Sequence, residues 1–109
     1  MSSSTTPEID IDMLEAGQAS ATVIDVREPG EYVAGHVPGA RLVPMGQLAS
    51  RVEELDRSRR VYVVCASGNR SAAMTDLLVA RGFDAYSVAG GTAAWARSGR
   101  AVETGAPRV

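Results

Sequence analysis

After a polar opening, Met1 to Thr6, the segment Pro7 to Ile11 alternates polar and apolar residues in the manner of a short edge strand. Asp12 stands where it would cap a short helix over Met13 to Ala19. Thr22 to Val26 is a compact β-branched run, which predicts a strand. Pro29 and Glu31 then read as the first turn of a helix, since proline is tolerated at the first helical position. The stretch Gly35-His36-Val37-Pro38-Gly39-Ala40 predicts a loop, and Arg41-Leu42-Val43 a small strand stopped by Pro44. Met45, Leu48, Val52 and Leu55 recur at helical spacing among arginines and glutamates, which predicts an amphipathic helix with one buried face.

Val61-Tyr62-Val63-Val64 is apolar without alternation, as expected of a central strand covered on both faces, and it ends at Cys65. The spacing then predicts a helix over Ser71 to Arg81, with Ala73, Leu77 and Ala80 facing the core and Gly82 closing it. Ala85 to Val88 predicts a further strand, and Gly90-Gly91 introduces a last helix, Thr92 to Arg97, with Trp95 packed on the core. Strand and helix alternate throughout. The expected fold class is therefore α/β, a mainly parallel central sheet with helices on both faces. One domain is expected over residues 8–102, between a polar tail at 1–7 and an aperiodic tail at 103–109. Ligands in such sheets bind beyond the carboxyl ends of the strands.

Composition narrows the chemistry. A formal charge of −2 over 109 residues provides no basic field, so neither a nucleic-acid nor a membrane-surface partner is expected. No apolar run approaches the roughly 20 residues that span a bilayer. The start lacks the charge and apolar segment of a leader, so a cytoplasmic location is the expectation. With one cysteine and one histidine there is no internal disulfide and no Cys/His zinc cluster, and neither metal nor cofactor is expected. All eleven cationic side chains are arginine, which excludes a phosphate-loop, Schiff-base or general-base lysine.

The segment Cys65-Ala66-Ser67-Gly68-Asn69-Arg70-Ser71 lies where a buried strand hands over to a helix, so its backbone must turn sharply and can point several N–H groups inward. A cysteine facing such a cradle and a guanidinium ionises more easily than a free thiol. Gly68 suits the turn, while Ser67, Asn69 and Ser71 are short side chains able to bond the loop to itself. Arg70 offers a permanent charge and a planar fork matched to an oxyanion. A lone cysteine often serves as a small buried hydrophobe, but this one ends a central strand, where parallel-sheet proteins place chemistry. His36 is a formal candidate for a general base toward Cys65, although its Pro/Gly turn favours a local packing role. Arg57, Arg59 and Arg60 precede the strand, whose length of roughly 16 Å separates them from the thiol.

These residues resemble the rhodanese family from about Ile9 to Val102. Val23-Ile24-Asp25-Val26-Arg27-Glu28, Gly35 to Ala40 and Gly90-Gly91-Thr92-Ala93-Ala94-Trp95 resemble its signatures, and Cys65 to Ser71 its catalytic loop. The resemblance implies a rhodanese-like fold and a thiosulfate sulfurtransferase of ping-pong type. Cys65 would take a sulfane sulfur from a donor such as thiosulfate, hold it as a persulfide, and yield it to a thiol, cyanide or protein acceptor. It implies further that the N–H groups of Ala66, Ser67, Gly68, Asn69, Arg70 and Ser71 hold the persulfide, and that Asp25, Arg27 and Glu28 brace the site. With no second cysteine the acceptor must come from outside. Arg41-Leu42-Val43-Pro44 departs slightly from the family pattern without touching its chemistry.

The same thiolate loop would also serve a phosphatase or an arsenate reductase, and cysteine-less family members act as protein-binding modules. Four residues separate Cys65 from Arg70, one fewer than in tyrosine-phosphatase-like loops, and within the family this shorter loop goes with sulfur transfer. The intact loop speaks against a binding module, and the lack of further cysteines against a reductase that needs a thiol relay.

Overall fold

The computed structural model describes residues 5–107; the outer ends of both tails, 1–4 and 108–109, lie outside the described residues. The elements in chain order are β1 (Glu8–Ile9), α1 (Ile11–Gly17), β2 (Thr22–Asp25), α2 (Pro29–Ala34), β3 (Arg41–Leu42), α3 (Met45–Arg51), β4 (Val61–Val64), α4 (Asn69–Ala80), β5 (Ala85–Val88) and α5 (Gly91–Arg97). The five strands form one parallel sheet in the order β1-β5-β4-β2-β3. β4 therefore lies at the centre, and its carboxyl end delivers Cys65 to the middle of the sheet's upper edge. The α/β class expected from the alternation is the class observed.

Side-chain alternation along the strands divides the interior in two. Ile24, Val26, Val61, Val63, Cys65 and Ala85 pack with Leu48, Val52, Leu55, Leu78 and Phe83 on the side of α3 and α4. Val23, Tyr62, Val64 and Val88 pack with Leu14, Val37 and Trp95 on the side of α1 and α5. Val61, Val63 and Val64 are wholly buried, and each such side chain contributes about 1.5 to 3 kcal/mol relative to exposure. The double coverage explains why β4 reads as a continuous apolar run. Among the described residues no helix is long and apolar enough to cross a membrane.

Three local expectations are corrected. α1 starts earlier than Met13 because Asp10, not Asp12, is its cap: the Asp10 carboxylate accepts the Met13 N–H at 2.8 Å, while Asp12 reaches Arg100. α4 begins at Asn69, and its buried face is Ser71, Thr75 and Leu78; Leu77 packs against the core as expected, half-buried, whereas Ala73 and Ala80 are exposed. A search for apolar periodicity chooses alanines over hydroxyl residues, yet here two hydroxyls face the sheet. The run from Met45 is helical only to Arg51 and tightens into a 3₁₀ turn at Val52–Glu54, although Leu48, Val52 and Leu55 are buried as expected.

α5 is set against the end of β4 by backbone alone. Thr92 N–H donates to Cys65 O at 2.8 Å and Ala93 N–H to Ala66 O at 3.0 Å. Gly91 has φ +57°, and a Cβ there would overlap Cys65 O and lie 2.8 Å from Ala66 O. Gly91→Ala is therefore expected to lower stability by about 2 to 4 kcal/mol, from left-handed strain plus overpacking. Gly46→Ala, which meets open space within α3, is expected to be neutral or to stabilise by up to about 1 kcal/mol. Urea denaturation of both variants checks this; equal midpoints would contradict the packing described.

Candidate active site

Cys65 follows the last residue of β4 and points to the α3/α4 side, where it is 1% exposed. Its Sγ accepts the Gly68 N–H at 3.0 Å and lies 3.4 Å from Ser71 Oγ. The ties to α5 explain the orientation of the loop. In a trans peptide the C=O and the next N–H point opposite ways. Anchoring Cys65 O and Ala66 O to α5 thus turns the N–H groups of Ala66 and Ser67 away from α5. Gly68, at φ +116°, completes the turn and opens α4, a conformation that favours glycine.

Burial pushes the Cys65 thiol up. Hydrogen bonds from the Ser71 hydroxyl and from the backbone N–H groups of Ser71, Gly68 and Ser67 outweigh it and hold the thiol below its ordinary value. The thiolate is thus stabilised chiefly by fixed dipoles.

Arg70 extends from the first turn of α4, and both of its terminal nitrogens are engaged by Glu31 of α2, Nη1 to Oε1 at 2.7 Å and Nη2 to Oε2 at 2.8 Å. Glu31 was legible as a first-turn helix residue, but nothing in the spacing linked it to an arginine 39 positions later. The Arg70 hydrogen bonds, followed by the Glu28 backbone N–H, lower the Glu31 pKa from 4.5 to about 2, so Glu31 stays ionised beside Arg70 at ordinary assay pH. The fork expected to hold an anion is occupied by a carboxylate of the chain itself.

Asp25 and Arg27 form a buried bidentate pair, with Arg27 Nε at 2.9 Å and Nη2 at 2.8 Å from the two carboxylate oxygens. Arg27 also donates to Gly35 O at 2.8 Å, which ties the loop after α2 to the end of β2. Glu28 caps α2 in a reciprocal box with Glu31. Thus Asp25 and Arg27 hold a loop, and Glu28 shapes the helix from which Glu31 reaches Arg70. Ser67 and Asn69 lie exposed on the rim, whereas Ala66 and Gly68 are half-buried.

His36 stacks on Tyr32 at 3.6 Å between ring centroids, shares a 2.8 Å hydrogen bond between its Nδ1 and Tyr32 O, and lies 3.6 Å from Glu103 through Nε2. These are local packing contacts. Arg57 lies over Phe83, Arg59 donates to Ala21 O and Arg60 pairs with Asp84, all at the amino end of the sheet, away from Cys65 as its strand length requires. Sequence reading also passed over Ser87 of β5, which is wholly buried and lies 2.7 Å from Ser71 Oγ. A serine at the same strand face as the apolar Ala85, next to the apolar Val88, is the signal that marks it.

The family model for the rhodanese-like domain matches residues 6–98. The YqhL protein of Bacillus subtilis (strain 168) is 38% identical over 81 residues, which cover 73% of this chain and 64% of YqhL, so the chain spans less than two thirds of that relative. The crystal structure of a rhodanese-related protein from Thermoplasma volcanium superposes with a TM-score of 0.85 at 33% identity, covering 89% of this chain and 97% of that one. The crystal structure of a thiosulfate sulfurtransferase from Pseudomonas aeruginosa superposes with a TM-score of 0.83 at 33% identity, covering 94% of this chain and 21% of that one. With the sheet order, the loop at the end of β4 and these matches in agreement, the chain belongs to the rhodanese-like domain family.

Proposed function

We propose that the chain is a sulfurtransferase that carries sulfane sulfur as a persulfide on Cys65. The observation that carries this reading is a buried sulfur at the carboxyl end of the central strand, facing backbone N–H groups and held below the ordinary thiol pKa. The Cys65 thiolate attacks the outer sulfur of thiosulfate; the S–S bond of the donor breaks and sulfite leaves with its electron pair. The negative charge moves to the new terminal sulfur, within reach of the loop N–H groups of residues 66–71. Cyanide or a thiolate then attacks that terminal sulfur, the Cys65 S–S bond breaks and the thiolate is restored. No cofactor and no net oxidation are needed. The name of the Pseudomonas aeruginosa neighbour supports thiosulfate as a donor.

Two features favour this reading over phosphoryl transfer by the same loop. Only four residues lie between Cys65 and Arg70, and Arg70 is bound at both ends by Glu31 rather than free to grip a phosphoryl group.

Cys65→Ser is expected to reduce thiocyanate formation from thiosulfate and cyanide by at least about 10³-fold, with an unchanged circular-dichroism spectrum. Two-substrate kinetics on the wild type are expected to give the parallel lines of a ping-pong reaction. Retained activity in the serine variant, or intersecting lines, would count against a persulfide carrier.

The Arg70–Glu31 pair sets a second expectation. Glu31→Gln keeps the length and capping capacity of the side chain but removes its charge, which leaves Arg70 free to attract an anion. Above the titration of Cys65, this variant is expected to raise kcat/KM for thiosulfate about 3- to 10-fold while leaving an uncharged persulfide donor unaffected. Equal changes with both donors would show that Arg70 does not read substrate charge.

A further inference from the structure

Ser71 Oγ has three polar neighbours: Cys65 Sγ at 3.4 Å, Gly68 O at 3.1 Å and Ser87 Oγ at 2.7 Å. It has one proton to share among them. Alternation along β5 turns Ser87 to the same side as Ala85, under α4, and its hydroxyl is sealed from solvent. We propose that Ser87 is a positioning residue: its hydroxyl donates to Ser71 Oγ and so commits the Ser71 proton to Cys65 Sγ whenever that sulfur carries the charge.

The donor and acceptor count supports this assignment. A neutral thiol can donate to Ser71 Oγ, leaving the Ser71 proton for Gly68 O. A thiolate only accepts, so Ser71 must turn its proton to sulfur, and its own oxygen then needs a donor. Ser87 is placed to be that donor. Gly68 O loses nothing essential by the change, since it also accepts the Ala72 N–H at 3.1 Å. Apart from the proton that leaves the sulfur, the two arrangements differ only in where the Ser71 hydroxyl points, with no movement of the backbone.

On the sulfurtransferase reading this arrangement has a direction. When Cys65 holds a persulfide, the charge lies on the terminal sulfur and Sγ becomes a weak acceptor. As the acceptor removes the terminal sulfur, the Cys65 S–S bond breaks and the electron pair returns to Sγ, where the Ser87–Ser71 pair meets it. Ser87 thereby improves Cys65 as a leaving group in the discharge step.

The ionisable groups around the thiol are fixed independently of Ser87. Arg70 of α4 is paired with Glu31 of α2, and Asp25 at the end of β2 with Arg27 just beyond it. Residues 91–95 of α5 carry no ionisable side chain, and Tyr86 of β5 faces Tyr62 and Arg60. A shift in Cys65 titration on altering Ser87 therefore reports the hydroxyl pair.

The test follows the rate of Cys65 alkylation by iodoacetamide against pH in wild type, Ser87→Ala and Ser87→Thr. The alanine variant is expected to move the midpoint up by about 0.5 to 1 pH unit, and threonine, which keeps the hydroxyl, to restore it. Discharge of a preloaded persulfide to cyanide in a single turnover is expected to slow about 2- to 5-fold in the alanine variant alone. An unshifted midpoint in Ser87→Ala, or the same shift in both variants, overturns the proposal. Should alanine fail to fold, Ser87→Gly, which also removes the hydroxyl, takes its place: a raised midpoint there supports the assignment and an unshifted one rejects it. Alkylation needs no sulfur donor, so failure of the relay and failure of the sulfurtransferase reading are separately visible.

Discussion

Two backbone hydrogen bonds, Thr92 N–H to Cys65 O and Ala93 N–H to Ala66 O, determine what the cysteine loop can do. A tight loop has as many carbonyls as amides, and a loop free to rotate would present both to the sulfur. By taking up the carbonyls, α5 leaves the amide side to face inward, and Gly91 allows the approach because it has no Cβ. The same contact seats Trp95 in the core on the α1/α5 side, so the packing of the last helix and the polarity of the cradle are one constraint. The parallel sheet contributes the position: β4 is central and delivers Cys65 at its carboxyl end.

The charges near the loop are largely spent on one another. Arg70 is engaged by Glu31, and Arg27 by Asp25. A free cation beside a thiol would lower its pKa but also hold an anionic product. Here the sulfur depends on dipoles of the backbone and of two serine hydroxyls, which act only at short range. This suits a carrier whose charge moves one atom outward on loading and one atom back on discharge.

Much of this architecture was legible because it follows from local rules. The unalternating Val61–Val64 run, Pro29 at a helix start and Cys65 at the strand end each have a short-range physical cause. Contacts between distant segments were not legible in that way. The Arg70–Glu31 pair depends on how α2 sits beside α4, and Ser71 with Ser87 on the register of β5 against the helix above it. Hydrophobic patterning also misplaced the face of α4, since Ser71 and Thr75 are buried as hydroxyls where alanines were expected. The α1 cap fell on Asp10 rather than Asp12 because either carboxylate satisfies the pattern and only the turn after β1 chooses between them.

The central claim, that Cys65 in its amide cradle stores sulfur, is tested most directly by intact-protein mass spectrometry before and after thiosulfate, and again after cyanide. A gain of one sulfur atom that cyanide removes, absent in Cys65→Ser, is the result this account predicts. A mass unchanged by thiosulfate and by a low-molecular-weight persulfide would contradict it.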